Sequence, residues 1–388
     1  MDALMNSLQG LVTSSGIGAS DLAIVMIAAL FGLMVVGLVL GQELAFVLGG
    51  VGVVVGWIAW GDPGVTIAMT KIYDQMQSYS MVAIPMFVLM ANFLTYSKVA
   101  DGLFESIRYL LGPLKGGLGL AVILVSTVFA ATTGIVGASV VTMGMLSLPV
   151  LLRSGYKPSL ACGMVCAGGS LGILIPPSIM LVSMGSYAEV SVGKIFFAAI
   201  VPGLALSLGY IIYVMVVCHI HPDWGPAMSA EELAEMPLKK RITGSLINLI
   251  PPLLLIIAVL GSIFGGIATP TEAAGVGAFF ALILAIFYKQ FSLKMLYESL
   301  IDTAKTTAMV FIILFGAAAF TGIFMSLDGD QIISNWVLGM GIGKWGAFAI
   351  MMVIMFILGM FIDWLGIVMI VFPIFLPIMD QFGFDRLW

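Results

Sequence analysis

A chain of 388 residues that is 61% hydrophobic and 9% charged, with a mean hydropathy of +1.17, has too little polar surface to cover a soluble globule and reads as a polytopic membrane protein. Its formal net charge of −5 is spread thinly, with no basic block, which argues against nucleic acid as a partner and leaves the lipid bilayer as the surroundings. The 46 glycines, 27 methionines and 16 prolines, set in apolar runs without period-2 alternation, suit packed and broken transmembrane helices rather than a β-barrel.

Met1–Ser20 lacks a positive region, so Leu22–Leu40 reads as a retained first helix with Asp21 as its cap. Gly41-Gln42-Glu43 is a turn before Leu44–Trp60, whose Trp57 and Trp60 mark an interface. Pro63–Ser97 holds a polar arm, a polar knot at Ser78-Tyr79-Ser80 and an apolar arm. Neither arm has the roughly 20 apolar residues a span needs, so a re-entrant helical hairpin with the knot at its tip is expected. Lys98–Lys115 carries charges at helical spacing beside Leu103, Ile107 and Leu110, as in an amphipathic interfacial helix.

Gly116–Leu152 is an apolar segment interrupted by the small-residue run Thr132–Ser139, and Ser159–Ser186 is interrupted by Gly168–Ser178, which contains Pro176-Pro177. In hydrocarbon each freed backbone group costs several kcal/mol unless protein, water or an ion satisfies it, so these two breaks are the candidate site. Val192–Val217 spans without interruption, which makes five crossings in the first half. His219–Arg241 is the loop between halves, its histidines read as a polar helix exit rather than a metal site. Cys162, Cys166 and Cys218 lie in apolar sequence and are expected to be buried packing residues.

A shift of about 228 positions superposes the second half on the first. Pro149 falls on Pro377, Gly155 on Gly383, and Glu43 on the region of Glu272. The knot Ser78–Ser80 falls on Lys305-Thr306-Thr307, and the break at Thr132–Ser139 on Phe361–Gly366. An odd number of crossings per half gives an inverted-repeat transporter with a midplane site. The counterpart of Ala161–Val217 would begin near residue 389, so the sequence is expected to lack a C-terminal segment.

Asp363 is the one carboxylate inside the apolar run Ala347–Phe375. It reads as a cation or proton ligand, or as a cap on a half-helix. Glu272, in Thr269-Pro270-Thr271-Glu272, reads as a helix cap or a transport residue. Half-helix N-termini at the breaks and tips would offer amides to an anion. The sequence shows no catalytic triad, metal-spaced cluster or phosphate loop, which argues against an enzyme and against a cofactor.

The segments IPMFVLMANFL, TTGIVGAS, GYKPSLACG, GILIPPSIMLVSMGSYAEVSVGKIFFAAIVPGL and GGIATPTEAAGVGA together resemble the large membrane subunit of tripartite ATP-independent periplasmic (TRAP) transporters, from about Leu38 to the end. That resemblance implies a secondary transporter of the bacterial inner membrane that imports small organic acids, such as dicarboxylates or sialic acid, with sodium as coupling ion. It implies an elevator motion, a small four-helix membrane subunit as partner and a periplasmic substrate-binding protein. Carried over by position, one sodium site falls on Gly134, Gly137, Ala138 and Ser139 with Gly169, Gly172 and Pro176, and a second on Asp363 and Gly366. Substrate is expected at Ser78, Ser80, Thr132, Thr133, Ser170, Pro177, Ser178, Thr306 and Thr307. Many members of the family have an aspartate shortly after the small-residue loop, where this chain has Val140, Val141, Thr142 and Met143.

The implied organisation is N-terminal scaffold helices (1–61), a first re-entrant hairpin (62–97), the interfacial helix (98–115) and the broken helices of a transport domain (116–186). A scaffold helix with the inter-repeat loop (187–245), second-repeat scaffold helices (246–290), a second re-entrant hairpin (291–327), and a connecting helix with the second broken helix (328–388) complete it. The alternatives are a divalent-anion/sodium symporter that needs no binding protein, and a channel or scaffold.

Overall fold

The computed structural model describes residues 19–387 except Ile135, Glu235, Phe361 and Asp363, with backbone alone at Ala19, Ser20, Thr133, Ala138 and Ala230; its regular elements among these residues are all helical. Helices α1 (Ala19–Val39) and α2 (Leu44–Trp60) are joined through Gly41, which takes the left-handed φ of +75° that the turn needs. After Gly61 comes α3 (Asp62–Met76), with Pro63 in its first turn. The helix stops at Gln77-Ser78, a 3-10 turn covers Tyr79–Val82, and α4 (Ala83–Tyr96) resumes. Pro85 falls in the first turn of α4, where its missing N–H leaves no intrahelical bond unmade, and so suits the restart of the helix.

The first half continues with α5 (Val99–Leu111), α6 (Gly117–Thr133), α7 (Val136–Arg153), α8 (Pro158–Leu174), α9 (Ile179–Ala188) and α10 (Val192–Ile220). A loop with a 3-10 turn at Pro222–Trp224 and a one-turn helix α11 (Ala230–Ala234) leads to α12 (Leu238–Phe264), α13 (Pro270–Phe287), α14 (Leu293–Ser326), α15 (Gly329–Gly339), α16 (Lys344–Leu358) and α17 (Trp364–Gln381). Eight helical segments among the described residues are long and apolar enough to cross a membrane, among them Asp21–Val39, Val192–Ile220 and Leu238–Phe264.

The repeat is visible as a register of helices. Four pairs, α2 with α13, α5 with α15, α6 with α16 and α7 with α17, begin at residues 44 and 270, 99 and 329, 117 and 344, and 136 and 364. Gly61 and Lys289, and Gly155 and Gly383, each 228 positions apart, are left-handed in both halves, and left-handed Lys98 and Asp328 precede α5 and α15. The halves differ at the hairpin. Where a second re-entrant hairpin over 291–327 is expected to turn at Lys305-Thr306-Thr307, the structure has the unbroken α14. The reason is local: Pro85 corresponds to Ile313, and no proline or glycine lies between Leu293 and Phe315 to interrupt the ladder.

The chain forms two compact units, residues 1–78 with 308–388 and residues 79–307, which divide it elsewhere than the expected scaffold and transport segments do. The arms α3 and α4 of the first hairpin fall in different units. In the first unit, Phe31 meets Phe320 and Phe324 edge-on at 5.5 and 5.9 Å. A Cβ on Gly52 would lie 2.9 Å from the Phe320 nitrogen, so α2 and the end of α14 approach at backbone distance. Ser334 donates to Gln381 at 2.7 Å, tying α15 to α17.

In the second unit, α6 is the core. Leu118, Val122 and Ile123 pack with Leu103 and Phe104 of α5, Met143 of α7, Met164 of α8 and Val214 of α10. The amphipathic α5 buries its apolar face there, and Asn248 of α12 holds it by donating to the Gly102 carbonyl at 2.9 Å and to Ser106 Oγ at 2.7 Å. Burial pushes the Asp101 carboxyl of α5 up, against the pull of Lys98. Cys218 is buried, but Cys162 and Cys166 are exposed, which corrects the expectation for those two. Apolar neighbours in sequence do not distinguish a core-facing helix side from a lipid-facing one.

Glu272 has its place in a capping box: its carboxylate accepts from the Thr269 N–H and Oγ1, both at 2.8 Å, and the Thr269 side chain accepts from the Glu272 N–H. Thr269→Ala is therefore expected to destabilise α13 by about 1 kcal/mol, read as a lower unfolding midpoint in detergent with the helix content of the folded protein unchanged.

Candidate functional site

The two breaks meet. Helix α6 ends because Gly134 turns left-handed (φ +62°), its N–H closing on the Ala130 carbonyl at 3.1 Å, and α7 starts afresh at Val136. Helix α8 ends because Pro176 and Pro177 have no N–H to donate; its last bond runs from Ile175 N–H to the Leu171 carbonyl at 2.9 Å, and the Pro176–Pro177 peptide is cis. A Cβ built on Gly134 would lie 3.0 Å from the Pro177 carbonyl oxygen and 3.2 Å from Ser178 Cα. Only glycine satisfies both the backbone angle and this approach.

At 17 and 18 residues, α6 and α7 are each about 26 Å long, so their junction lies well inside an apolar segment. Each break leaves the carbonyls of one helix end and the amides of the next without intrahelical partners, with partial negative charge at the ends of α6 and α8 and partial positive charge at the starts of α7 and α9. Ser178 does not cap α9: its backbone is extended and its hydroxyl donates back to the Ile173 carbonyl at 2.7 Å. Thr132 Oγ1 likewise donates to the Phe129 carbonyl at 2.7 Å and Ser170 Oγ to the Ala167 carbonyl at 2.8 Å. Each hydroxyl thus spends its proton on a nearby backbone carbonyl, Ser178 on one of α8, and keeps lone pairs for a cation.

Small residues bring the helices this close. A Cβ on Gly169 of α8 would lie 2.9 Å from both the nitrogen and Cα of Val140 on α7. One on Gly168 would lie 2.5 Å from Ser126 Oγ of α6, a buried hydroxyl with no partner. Ser126 is a site-wall residue that the sequence reading does not single out, and Val140 enters that reading only as a position where the family's aspartate is absent. The Gly168-Gly169 pair is the signal that could have found them, since adjacent glycines present two faces of one helix to two neighbours.

Of the expected sodium residues, Gly134, Ser139, Gly169, Gly172 and Pro176 are buried here, whereas Gly137 is exposed with open space beside it. The side chain of Ala138 and all of Asp363 lie outside the described residues. Gly366 belongs to the other unit, buried in α17 against Leu44 and 2.9 Å, by its missing Cβ, from Ile362 Cγ2. Of the expected substrate residues, Thr132, Ser170, Pro177 and Ser178 gather at the breaks, and the Thr133 side chain lies outside the described residues. Ser80 sits in the 3-10 turn of the same unit and Ser78 ends the other unit. Thr306 and Thr307 lie inside α14 rather than at a tip, so they free no backbone groups; the buried Thr307 Oγ1 has no partner.

A polar ladder within the second unit escapes the sequence reading altogether. Asn92 Nδ2 donates to Thr303 Oγ1 at 2.9 Å, and one turn on, Tyr96 OH donates to Asp302 at 2.7 Å, joining α4 of the first repeat to α14 of the second. Its partners are 211 and 206 positions apart, which no local pattern reports.

Apolar helices repeated at one register, with two breaks of the first repeat meeting in one buried place, define an all-α inverted-repeat membrane transporter. The chain belongs to the family described as tripartite ATP-independent periplasmic transporter, DctM component, whose family model matches residues 27–388, and is a multi-pass protein of the inner membrane. It is 34% identical over 318 residues to the C4-dicarboxylate TRAP transporter large permease protein DctM of Pseudomonas aeruginosa, covering 81% of this chain and 72% of that one. It is 30% identical to the isethionate TRAP transporter permease protein DctMQ of Oleidesulfovibrio alaskensis, over 92% of this chain and 55% of that one. The crystal structure of the Alcanivorax borkumensis YdaH transporter, which reveals an unusual topology, matches with a TM-score of 0.62 over 89% of this chain and 83% of that one; at 13% identity the likeness is one of fold.

Proposed function

We propose that this large permease imports small organic anions, C4-dicarboxylates first, driven by sodium, with substrate delivered by a periplasmic binding protein and a small four-helix membrane subunit as partner. The contact of Gly134 with Pro177 and Ser178 carries the reading. It gathers carbonyl and hydroxyl oxygens suited to sodium beside amide-rich starts of α7 and α9 suited to a carboxylate, at membrane depth and without a fixed side-chain charge. Two relatives named for C4-dicarboxylate and isethionate, both small anions, support the substrate class. Movement of the broken helices as an elevator would carry both ligands.

The test is uptake of labelled succinate into proteoliposomes holding this chain, its small subunit and its binding protein. Saturable uptake that needs an inward sodium gradient and collapses when either partner is left out is the expected result. Full transport by the chain alone would instead favour a symporter that needs no binding protein.

A further inference from the structure

We propose that the groove between α6, α8 and α10 holds one anionic phospholipid, with an acyl chain along its apolar wall and the phosphate at its mouth. The groove has a volume of about 600 Å³ and is walled by Ile123 of α6, Gly163, Met164 and Ala167 of α8, and Tyr210 and Val214 of α10. Ser159, Leu160 and Trp224 line it as well.

Charge at the mouth selects the head group. Lys157 Nζ lies 3.5 Å from the centre of the Trp224 ring, on which His221 also stacks at 4.4 Å. The Lys157 N–H donates to the Trp224 carbonyl at 3.0 Å, and the Gly116 N–H to the Gly225 carbonyl at 2.8 Å, which brings Lys115 to the same loop. Arg153, at the end of α7, is four residues from Lys157. Lys115, Arg153 and Lys157 are all exposed, and the segments 111–117, 153–160 and 219–225 hold one carboxylate, Asp223.

Ser159 to Ala167 rises about 12 Å along α8, a length that takes part of an acyl chain. A soluble anion would gain nothing from the apolar wall, and a zwitterionic lipid would gain little from the cations. The anionic phospholipid uses both, with an aromatic belt residue at the interface.

The test is native mass spectrometry of the full-length chain taken from liposomes of equal phosphatidylglycerol and phosphatidylcholine. The wild type should retain phosphatidylglycerol in preference. Lys157→Gln should cut that preference about fivefold, one basic residue's worth of attraction, and Lys157→Arg should restore it. Gly163→Leu fills the groove where a Cβ meets nothing within 4 Å, so it should keep the fold, checked by its size-exclusion profile, and lose both lipids. Equal retention of the two lipids by the wild type, or a preference that survives Lys157→Gln or Gly163→Leu, overturns the proposal.

Discussion

Replacing Gly134 with valine is expected to lower sodium-driven uptake by about tenfold or more while the chain still inserts and purifies as a folded protein. The backbone there is left-handed, which costs an L-residue roughly 1–2 kcal/mol and a β-branched one more. The added Cβ would also sit 3.0 Å from the Pro177 oxygen and 3.2 Å from Ser178 Cα, both backbone atoms that cannot rotate aside. The start of α9 must then shift, and with it the carbonyls and amides facing the break. The rest of the unit is held by the α6 core, so the loss falls on the site. Gly137→Ala is the control: it has open space and a helical backbone, and should transport near the wild-type rate. If the valine variant keeps wild-type uptake, the contact between the two breaks is not part of the transport site.

The second large effect is expected at Asp363. A carboxylate in the apolar sequence run Ala347–Phe375 is costly to ionise without a partner, and an ion is a natural one. Asp363→Ala should raise the sodium concentration for half-maximal uptake about tenfold or more, because one charged ligand contributes about 1.5 kcal/mol or more. Expression and thermal unfolding should stay near those of the parent chain. An unchanged sodium dependence would remove Asp363 from the site. A loss of fold without a change in sodium dependence would assign it to the half-helix cap instead.

The order of helices, the two breaks and the repeat were legible in the residues because their causes are local. Apolar length marks a span, glycine and proline mark its interruption, and Gly155 and Gly383 recur at the same offset because both turns need a left-handed residue. The expected second hairpin shows the limit of reading polarity alone. Lys305-Thr306-Thr307 is as polar as Ser78-Tyr79-Ser80, yet polar side chains do not by themselves break a helix, and the second half has no counterpart of Pro85, which opens the first turn of α4. The exposed Cys162 and Cys166 show the same limit for burial, since lipid and core are equally apolar.

The sequence by itself determined that this is a helical membrane protein of duplicated plan and at which residues its helices are interrupted, since hydrophobic length and lost backbone donors are properties of a few consecutive residues. Only the tertiary structure decided that the interruptions touch, that Gly134 rests on Pro177 and Ser178, that Gly169 lies against Val140, and that Asn92 and Tyr96 pair with Thr303 and Asp302. Those contacts join residues tens to hundreds of positions apart. In a membrane no alternation of polar and apolar faces marks such partners in advance, because close packing of small residues, not the avoidance of water, selects which helices meet.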